Sequence, residues 1–276
     1  MLIDHWQYEL TIWIWLLIAI SAFILLMFVR APYGRHERPG WGPRLPSRLG
    51  WIIMESPCII IMTVFLGIGM TKWIVLDLAA IILYTMWMVH YIHRSWVWPA
   101  RAQITGKKMP LSIVLFAVAF NSINSWINAE WIYSLHHPYP NSWIYSPQFI
   151  AGFIMFLIGM GINIRSDNIL FSLRRNSIGD YKIPKEGLFK WISCPNYLGE
   201  IIEWCGWALA TWSLAGLSFA IWGMANLIPR ARSNHKWYLE NFSDYPSERK
   251  ALVPKIWYNN NCHKLYLICS IKHTRK

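Results

Sequence analysis

Ionisable and amide side chains interrupt long apolar stretches of this chain, at spacings that gather them into groups. Glu55 lies four residues after Trp51 and two before Pro57. A carboxyl buried there stays protonated and donates a hydrogen bond, whereas one nearer the interface snorkels to water. His90, Tyr91, His93 and Arg94 close another apolar run, with His90 and Arg94 on one helical face. They suit a polar site or simply a helix end reaching water. The two histidines find no third ligand in the sequence, so no metal is expected. Asn121, Asn124 and Asn128 recur at helical spacing as one polar stripe, for a ligand or for interhelical hydrogen bonds. Asn196, Glu200 and Glu203 stand at i, i+4 and i+7, on one face of a helix start, where carboxylates also suit the helix dipole. A charge at mid-membrane costs roughly 2.5–3.5 kcal/mol on insertion scales, which makes each ionisable group a functional candidate.

The densest polar sequence runs Asn163-Ile-Arg165-Ser-Asp167, then Arg174-Arg175 and Tyr181-Lys-Ile-Pro184, read here as a loop. A C-terminal tail adds Arg230, Asn234, His235, Tyr238 and FSDYPSERKALVP. Charge topology alone accounts for arginines, not for the Asn, Asp, Tyr and His among them. That mixture suits a phosphate-rich ligand, with guanidinium forks on phosphate and amides or carboxylates on ribose and amide groups. No GxGxxG and no GxxxxGK[ST] is present, so a bound nucleotide would occupy a non-Rossmann site.

The elements that must hold these groups are membrane spans. The chain is 55% hydrophobic, 16% aromatic and only 14% charged, with 19 tryptophans. Soluble domains carry about 25% charged residues, and Trp collects where hydrocarbon meets headgroups. Apolar runs at 10–29, 51–70, 74–97, 111–134, 147–164, 197–213 and 215–229 predict seven spans in an all-α bundle. The last two, short and closely joined, read as a tight hairpin or as tilted, partly submerged helices. Pro110, Pro140 and Pro195 punctuate span starts or the loops before them. The first run ends in Phe28-Val29-Arg30 with no small-residue cleavage site, so an uncleaved first span is expected. Of 26 Lys and Arg, 25 fall in the first, third and fifth loops and the tail. The positive-inside rule places these in the cytoplasm and the N-terminus outside. The net charge of +12 thus reflects topology, and no nucleic acid or obligate protein partner is expected. Cys58, Cys194, Cys205, Cys262 and Cys269 form no CxxC and no zinc spacing, and require no oxidising compartment. Residues 258–276 change character, to a basic tail that lies on anionic lipid or is disordered.

Longer strings carry a resemblance. GMGINIRSDNIL (159–170), YKIPKEGLFKWISCPNYLGEIIEWCGWALATWS (181–213) and HKWYLENFSDYPSERKALVP (235–254) resemble the C-terminal half of the steroid 5α-reductases, the 3-oxo-5α-steroid 4-dehydrogenases. WIIMES (51–56) and HYIHRSW (90–96) resemble that family's early motifs. The resemblance implies one seven-span reductase domain over 1–257, with most of an NADPH site in 159–257. It implies cofactor contacts from Asn163, Asp167, Arg174, Tyr181, Asn196, Glu200, Arg230, His235 and Tyr238. Glu55 and Tyr91 would contact a steroid ketone as catalytic groups, with Asn121 beside the substrate. The family's run of three His reads Ser233-Asn234-His235-Lys236 here, so Asn234 is expected to take over a missing His contact. The loop after Arg94 differs in length from the family's, and the resemblance implies Lys107 and Lys108 as its phosphate partners.

The implied reaction is hydride addition to C5 of a Δ4-3-oxosteroid that enters from the bilayer. Enoyl-CoA reductases and isoprenylcysteine-type methyltransferases share the PNYxGE-like helix start, and the latter would use S-adenosylmethionine. Glu55, Tyr91 and the unbroken ATWS and DYPSERKALVP strings favour the steroid reductase. A seven-span receptor has no reason to set Asp167, Tyr181 and Glu200 against a basic loop. The expected host is a bacterial inner membrane or the endoplasmic reticulum, with the site expected toward the cytoplasm.

Overall fold

Apolar segments without water satisfy their backbone groups internally, and here they do so as helices. The computed structural model describes residues 4–30, 32, 34–36, 38–72, 77–135, 139–175 and 181–253. The basic tail, with Cys262 and Cys269, lies outside the described residues. In chain order come α1 (His5–Phe28), β1 (Arg44–Pro46), α2 (Ser47–Lys72), α3 (Leu78–Ile92), α4 (Trp98–Arg101), β2 (Lys108–Pro110), α5 (Leu111–Glu130), α6 (Pro147–Arg175), α7 (Pro195–Thr211) and α8 (Leu214–Asn241). A wider π-type turn over His93–Val97 joins α3 to α4, and another over Trp131–Leu135 extends α5.

Four helices among the described residues are long and apolar enough to cross a membrane: His5–Phe28, Ser47–Lys72, Leu111–Leu135 and Pro147–Arg174. The other expected spans fall on α3, of 15 residues, on α7, of 17, and on the first half of α8. Two boundaries differ from the sequence reading. Asn163–Arg175 is not a loop but the last part of α6, which runs 29 residues. Arg230–Tyr238 is not a loose tail but the second half of α8. Hydropathy marks where the chain leaves the apolar layer. The backbone ladder continues wherever the emerging side chains find partners.

Three features set the geometry of the site. First, β1 pairs antiparallel with β2, Arg44 opposite Pro110 and Pro46 opposite Lys108, so α2 and α5 start side by side. Second, α6 and α7 touch backbone to backbone. A Cβ added at Gly199 would lie 2.6 Å from Asn163 N, and one at Gly206 would lie 2.5 Å from Phe156 N. Small residues at such crossings let helix backbones close on each other. Third, α7 and α8 form a tight hairpin through Trp212, held at φ 44°, and Ser213, whose Oγ accepts from Gly216 N to cap α8. A core of Trp87, Tyr91, Trp204, Trp207, Phe156 and Phe219 fills the space between these helices.

The basic connections meet at one end of the bundle. His36 of the first loop lies 3.1 Å from Asn234 Oδ1 on α8, and Arg249 Nη1 donates to Pro184 O at 2.9 Å. At the other end, Lys72 donates to Ser134 O.

Candidate functional site

A cavity of about 480 Å³ opens between α2, α3, α5, α6, α7 and α8. Glu55 enters it from α2. Asn121, first of the amide stripe on α5, donates through Nδ2 to Met54 O at 2.6 Å and to Glu55 Oε2 at 3.3 Å. That fixes the carboxyl against the α2–α5 seam. Tyr91 enters from α3, 3% exposed, packed on Trp87 with ring centroids 4.9 Å apart. The other two amides of the stripe are structural. Asn124 Oδ1 accepts from Trp15 Nε1 at 3.0 Å, and Asn128 Oδ1 accepts from Trp207 Nε1 at 2.8 Å.

A second group forms where α6 meets α7. Asn163 and Asp167 stand one turn apart on α6, and Asn196 and Glu200 one turn apart on α7. Asn163 Nδ2 donates to Asn196 O at 3.0 Å and to Glu200 Oε2 at 3.4 Å. Asn196 Nδ2 donates to Asp167 Oδ1 at 3.1 Å, and Trp98 Nε1 donates to Asp167 Oδ2 at 2.7 Å. Arg94 stands between the two carboxylates, 3.9 Å from Asp167 Oδ2 and from Glu200 Oε2. Those separations are ion pairs rather than hydrogen bonds. Its guanidinium also lies 4.9 Å from the Trp51 ring and 5.2 Å from the Trp98 ring, and these two indoles stack on each other.

A third group is cationic and aromatic. Arg35 lies over Tyr181, Trp237 and Tyr238 at 5.0, 4.6 and 4.8 Å. Arg174 and Lys107 approach Tyr181 at 5.6 and 5.9 Å. Arg230 Nε donates to Tyr197 OH at 2.8 Å, and Asn234 Nδ2 donates to the same oxygen at 3.3 Å. Burial, then the nearby guanidiniums of Arg230, Arg35 and Arg30, hold His36 below its ordinary pKa. The imidazole stays neutral among these cations.

Of the residues singled out in sequence, Glu55, Tyr91, Asn121, Asp167, Arg174, Tyr181, Asn196, Glu200, Arg230, Asn234 and Tyr238 all line this cavity, with Lys107 and Lys108. Asn163 and His235 stand one layer behind it. Asn163 ties α6 to α7. His235 Nδ1 lies 2.6 Å from Ser193 Oγ, which also meets Tyr245 OH at 2.6 Å. Sequence reasoning missed Arg35, Trp98 and Tyr197. Arg35 is one of several charges in the first loop, and nothing in the spacing around Trp98 sets it apart from the other tryptophans. The only available signal for Tyr197 was its place beside Asn196. Arg94 suits either a polar site or a helix end by its spacing, and only the fold pairs it with two carboxylates. Cationic, carboxylate and amide groups converging on one cavity with a protonatable pair, Glu55 and Tyr91, can hold a phosphate-bearing cofactor beside a carbonyl. Among the described residues, no group of three or more His, Cys, Asp or Glu could hold a metal ion.

The family described as 3-oxo-5-alpha-steroid 4-dehydrogenase matches residues 107–257. The chain is 40% identical over 245 residues to steroid 5-alpha-reductase DET2 of Gossypium hirsutum, covering 87% of this chain and 94% of that one. It is 39% identical over 243 residues to 3-oxo-5-alpha-steroid 4-dehydrogenase 1 of Bos taurus, 86% and 92% covered. With 3-oxo-5-alpha-steroid 4-dehydrogenase 1 of Homo sapiens it shares 38% over 222 residues, 80% and 85% covered.

Proposed function

We propose that this chain, which belongs to the 3-oxo-5-alpha-steroid 4-dehydrogenase family, reduces the Δ4 double bond of 3-oxo-Δ4-steroids to 5α-3-oxosteroids with NADPH. One observation carries the reading most. Glu55, Tyr91 and Asn121 share a cavity with Arg94, Asp167, Arg174, Tyr181, Asn196, Glu200, Arg230, Asn234 and Tyr238. The donor set fits the cofactor. Arg174 and Arg230, with Lys107 and Lys108, suit phosphates. Asp167, Asn196 and Glu200 suit ribose hydroxyls and a carboxamide. Asn163 and His235 act behind them, through Asn196 and Ser193.

When bound, NADPH supplies the hydride, which the protein directs to C5. Tyr91 and a protonated Glu55 donate hydrogen bonds to the C3 oxygen, where negative charge grows as the double bond is reduced. Donors aimed at developing charge in a dry site are each worth roughly 2.7–4 kcal/mol. Asn121 keeps the Glu55 carboxyl at its post. The enolate that hydride addition leaves, held by these donors, then takes one proton at C4, from water, to give the saturated ketone. The helices of the bundle cross the membrane seven times in this reading, with the N-terminus outside and the basic end, and so the cofactor groups, in the cytoplasm. The steroid enters from the bilayer, either a bacterial inner membrane or the endoplasmic reticulum.

The test is direct. Membranes carrying the chain, given NADPH and testosterone or progesterone, yield the 5α-dihydro product on chromatography with mass detection. No saturated product from either steroid, or methyl transfer from S-adenosylmethionine instead, overturns the reading.

A further inference from the structure

Two ionisable side chains in the middle of the bundle take no part in the mechanism above. His90 Nδ1 and Glu203 Oε1 lie 2.8 Å apart, and the side chains are 7% and 1% exposed. Burying such a pair costs desolvation, and an apolar pair of similar volume often packs as well or better. Stability alone is therefore a weak reason for it. The imidazole is also a wall of the cavity. It stands edge-on to the Tyr91 ring, centroids 4.9 Å apart at 75°, and to Trp204 at 4.4 Å and 62°. Trp204 itself packs 5.8 Å from Tyr91, and Trp87 packs 4.9 Å from it. Three rings therefore hold the Tyr91 phenol, and Glu203 anchors one of them by a hydrogen bond from another helix.

Resting on the reading that Tyr91 donates to the C3 oxygen, we propose that Glu203 and His90 form a positioning device for that phenol. The Glu203 carboxylate accepts from Nδ1–H, which selects the tautomer and fixes the plane of the imidazole. The fixed imidazole edge then sets the Tyr91 ring. Because Glu203 follows Asn196 and Glu200 on α7 while Tyr91 is on α3, the pair ties the direction of the donor to the helix that carries the cofactor groups.

A double-mutant cycle with Tyr91→Phe tests this, read as kcat for the Δ4-3-oxosteroid and KM for NADPH. Misplacing a donor without removing it lowers kcat on the order of ten- to a hundredfold, the loss expected of Glu203→Ala. Its KM for NADPH stays within about twofold of wild type. In the Tyr91→Phe background, where no phenol remains to be aimed, the same substitution costs less than about twofold, since coupled residues are non-additive. Glu203→Gln, whose amide oxygen still accepts, retains more activity than Glu203→Ala. If Glu203→Ala does not fold, His90→Phe replaces it in the cycle, keeping ring volume while losing the anchor. Equal losses in both backgrounds, or no loss beside an intact Tyr91, overturn the proposal. A wild-type chain that reduces no Δ4-3-oxosteroid overturns the function instead.

Discussion

The two walls of the cavity are built in opposite ways. The wall from α6 and α7 is closed by backbone against backbone. Glycines at the crossing leave no side chain between the helices, and Asn163 ties the start of α7 to α6. The wall from α2, α3 and α5 is held by side chains. Asn121 bridges to Met54 O and Glu55, Trp87 Nε1 donates to Cys58 O at 3.0 Å, and aromatic rings set Tyr91. A backbone contact cannot relax by changing rotamer, whereas a side-chain contact can. The first wall therefore suits a large cofactor whose many groups must all be met at once. The second suits a site where two donors need aiming.

The largest effect should come from breaking the backbone contact. In Gly199→Leu the new side chain meets Asn163 N, Gly159 O and the Ile162 side chain. Overpacking typically costs about 1–3 kcal/mol and here has no rotamer to relax into, so a fall in Tm of about 5–10 °C is expected. NADPH binding, followed by fluorescence titration, should be lost together with steroid turnover. If binding survives intact, the backbone contact between α6 and α7 does not set the first wall. On the side-chain wall the fold should survive and only chemistry suffer. Tyr91→Phe is expected to lower kcat by about 10²–10³-fold with the KM for NADPH unchanged, as for other oxyanion-type donors. Glu55→Gln should lose less activity than Glu55→Ala, because the amide still donates. Equal and complete loss in both, with NADPH still bound, would mean that Glu55 transfers a proton. Arg174→Ala should do the reverse of Tyr91→Phe, raising the KM for NADPH while steroid affinity holds. An unchanged KM removes Arg174 from the cofactor wall.

The same contrast explains what was legible in the sequence. The polar groups of α7 could be placed on one face because helical spacing fixes Asn196, Glu200 and Glu203 relative to each other. Nothing in spacing says that Glu203 turns to His90 while Glu200 turns to Arg94. That depends on how closely α6 approaches, and so on glycines whose role shows only when a neighbour is known. The helical continuation of α6 to Arg175 was hidden for a related reason. Hydropathy drops at Asn163, but the backbone ladder persists because Asn163 and Asp167 find partners on α7 and at Trp98. Arg35 was illegible because its setting is three aromatic rings from residues 181, 237 and 238. Conversely, the charge count groups the first and fifth loops with the tail without any knowledge of contacts, and in the structure His36 meets Asn234 and Arg249 meets Pro184 at one end of the bundle.

The smallest expected effect probes the layer behind the cavity wall. His235 lies on the polar half of α8, beyond its apolar stretch, and burial, then the Lys250 ammonium, lowers its pKa from 6.5 to about 4. Its Nδ1 meets Ser193 Oγ, and Ser193 meets Tyr245, which stacks on Tyr238 of the cavity wall. A base whose folded pKa is lowered binds fewer protons folded than unfolded across the window between the two values. Stability should therefore be unaffected above about pH 6.5 and should fall as pH drops from there toward about 4. His235→Gln, which keeps a partner for Ser193 but does not titrate, should flatten that slope of Tm against pH and leave kcat near wild type at neutral pH. A slope that survives the substitution unchanged would assign the acid sensitivity elsewhere. A large loss of kcat at neutral pH would move His235 from behind the wall into it.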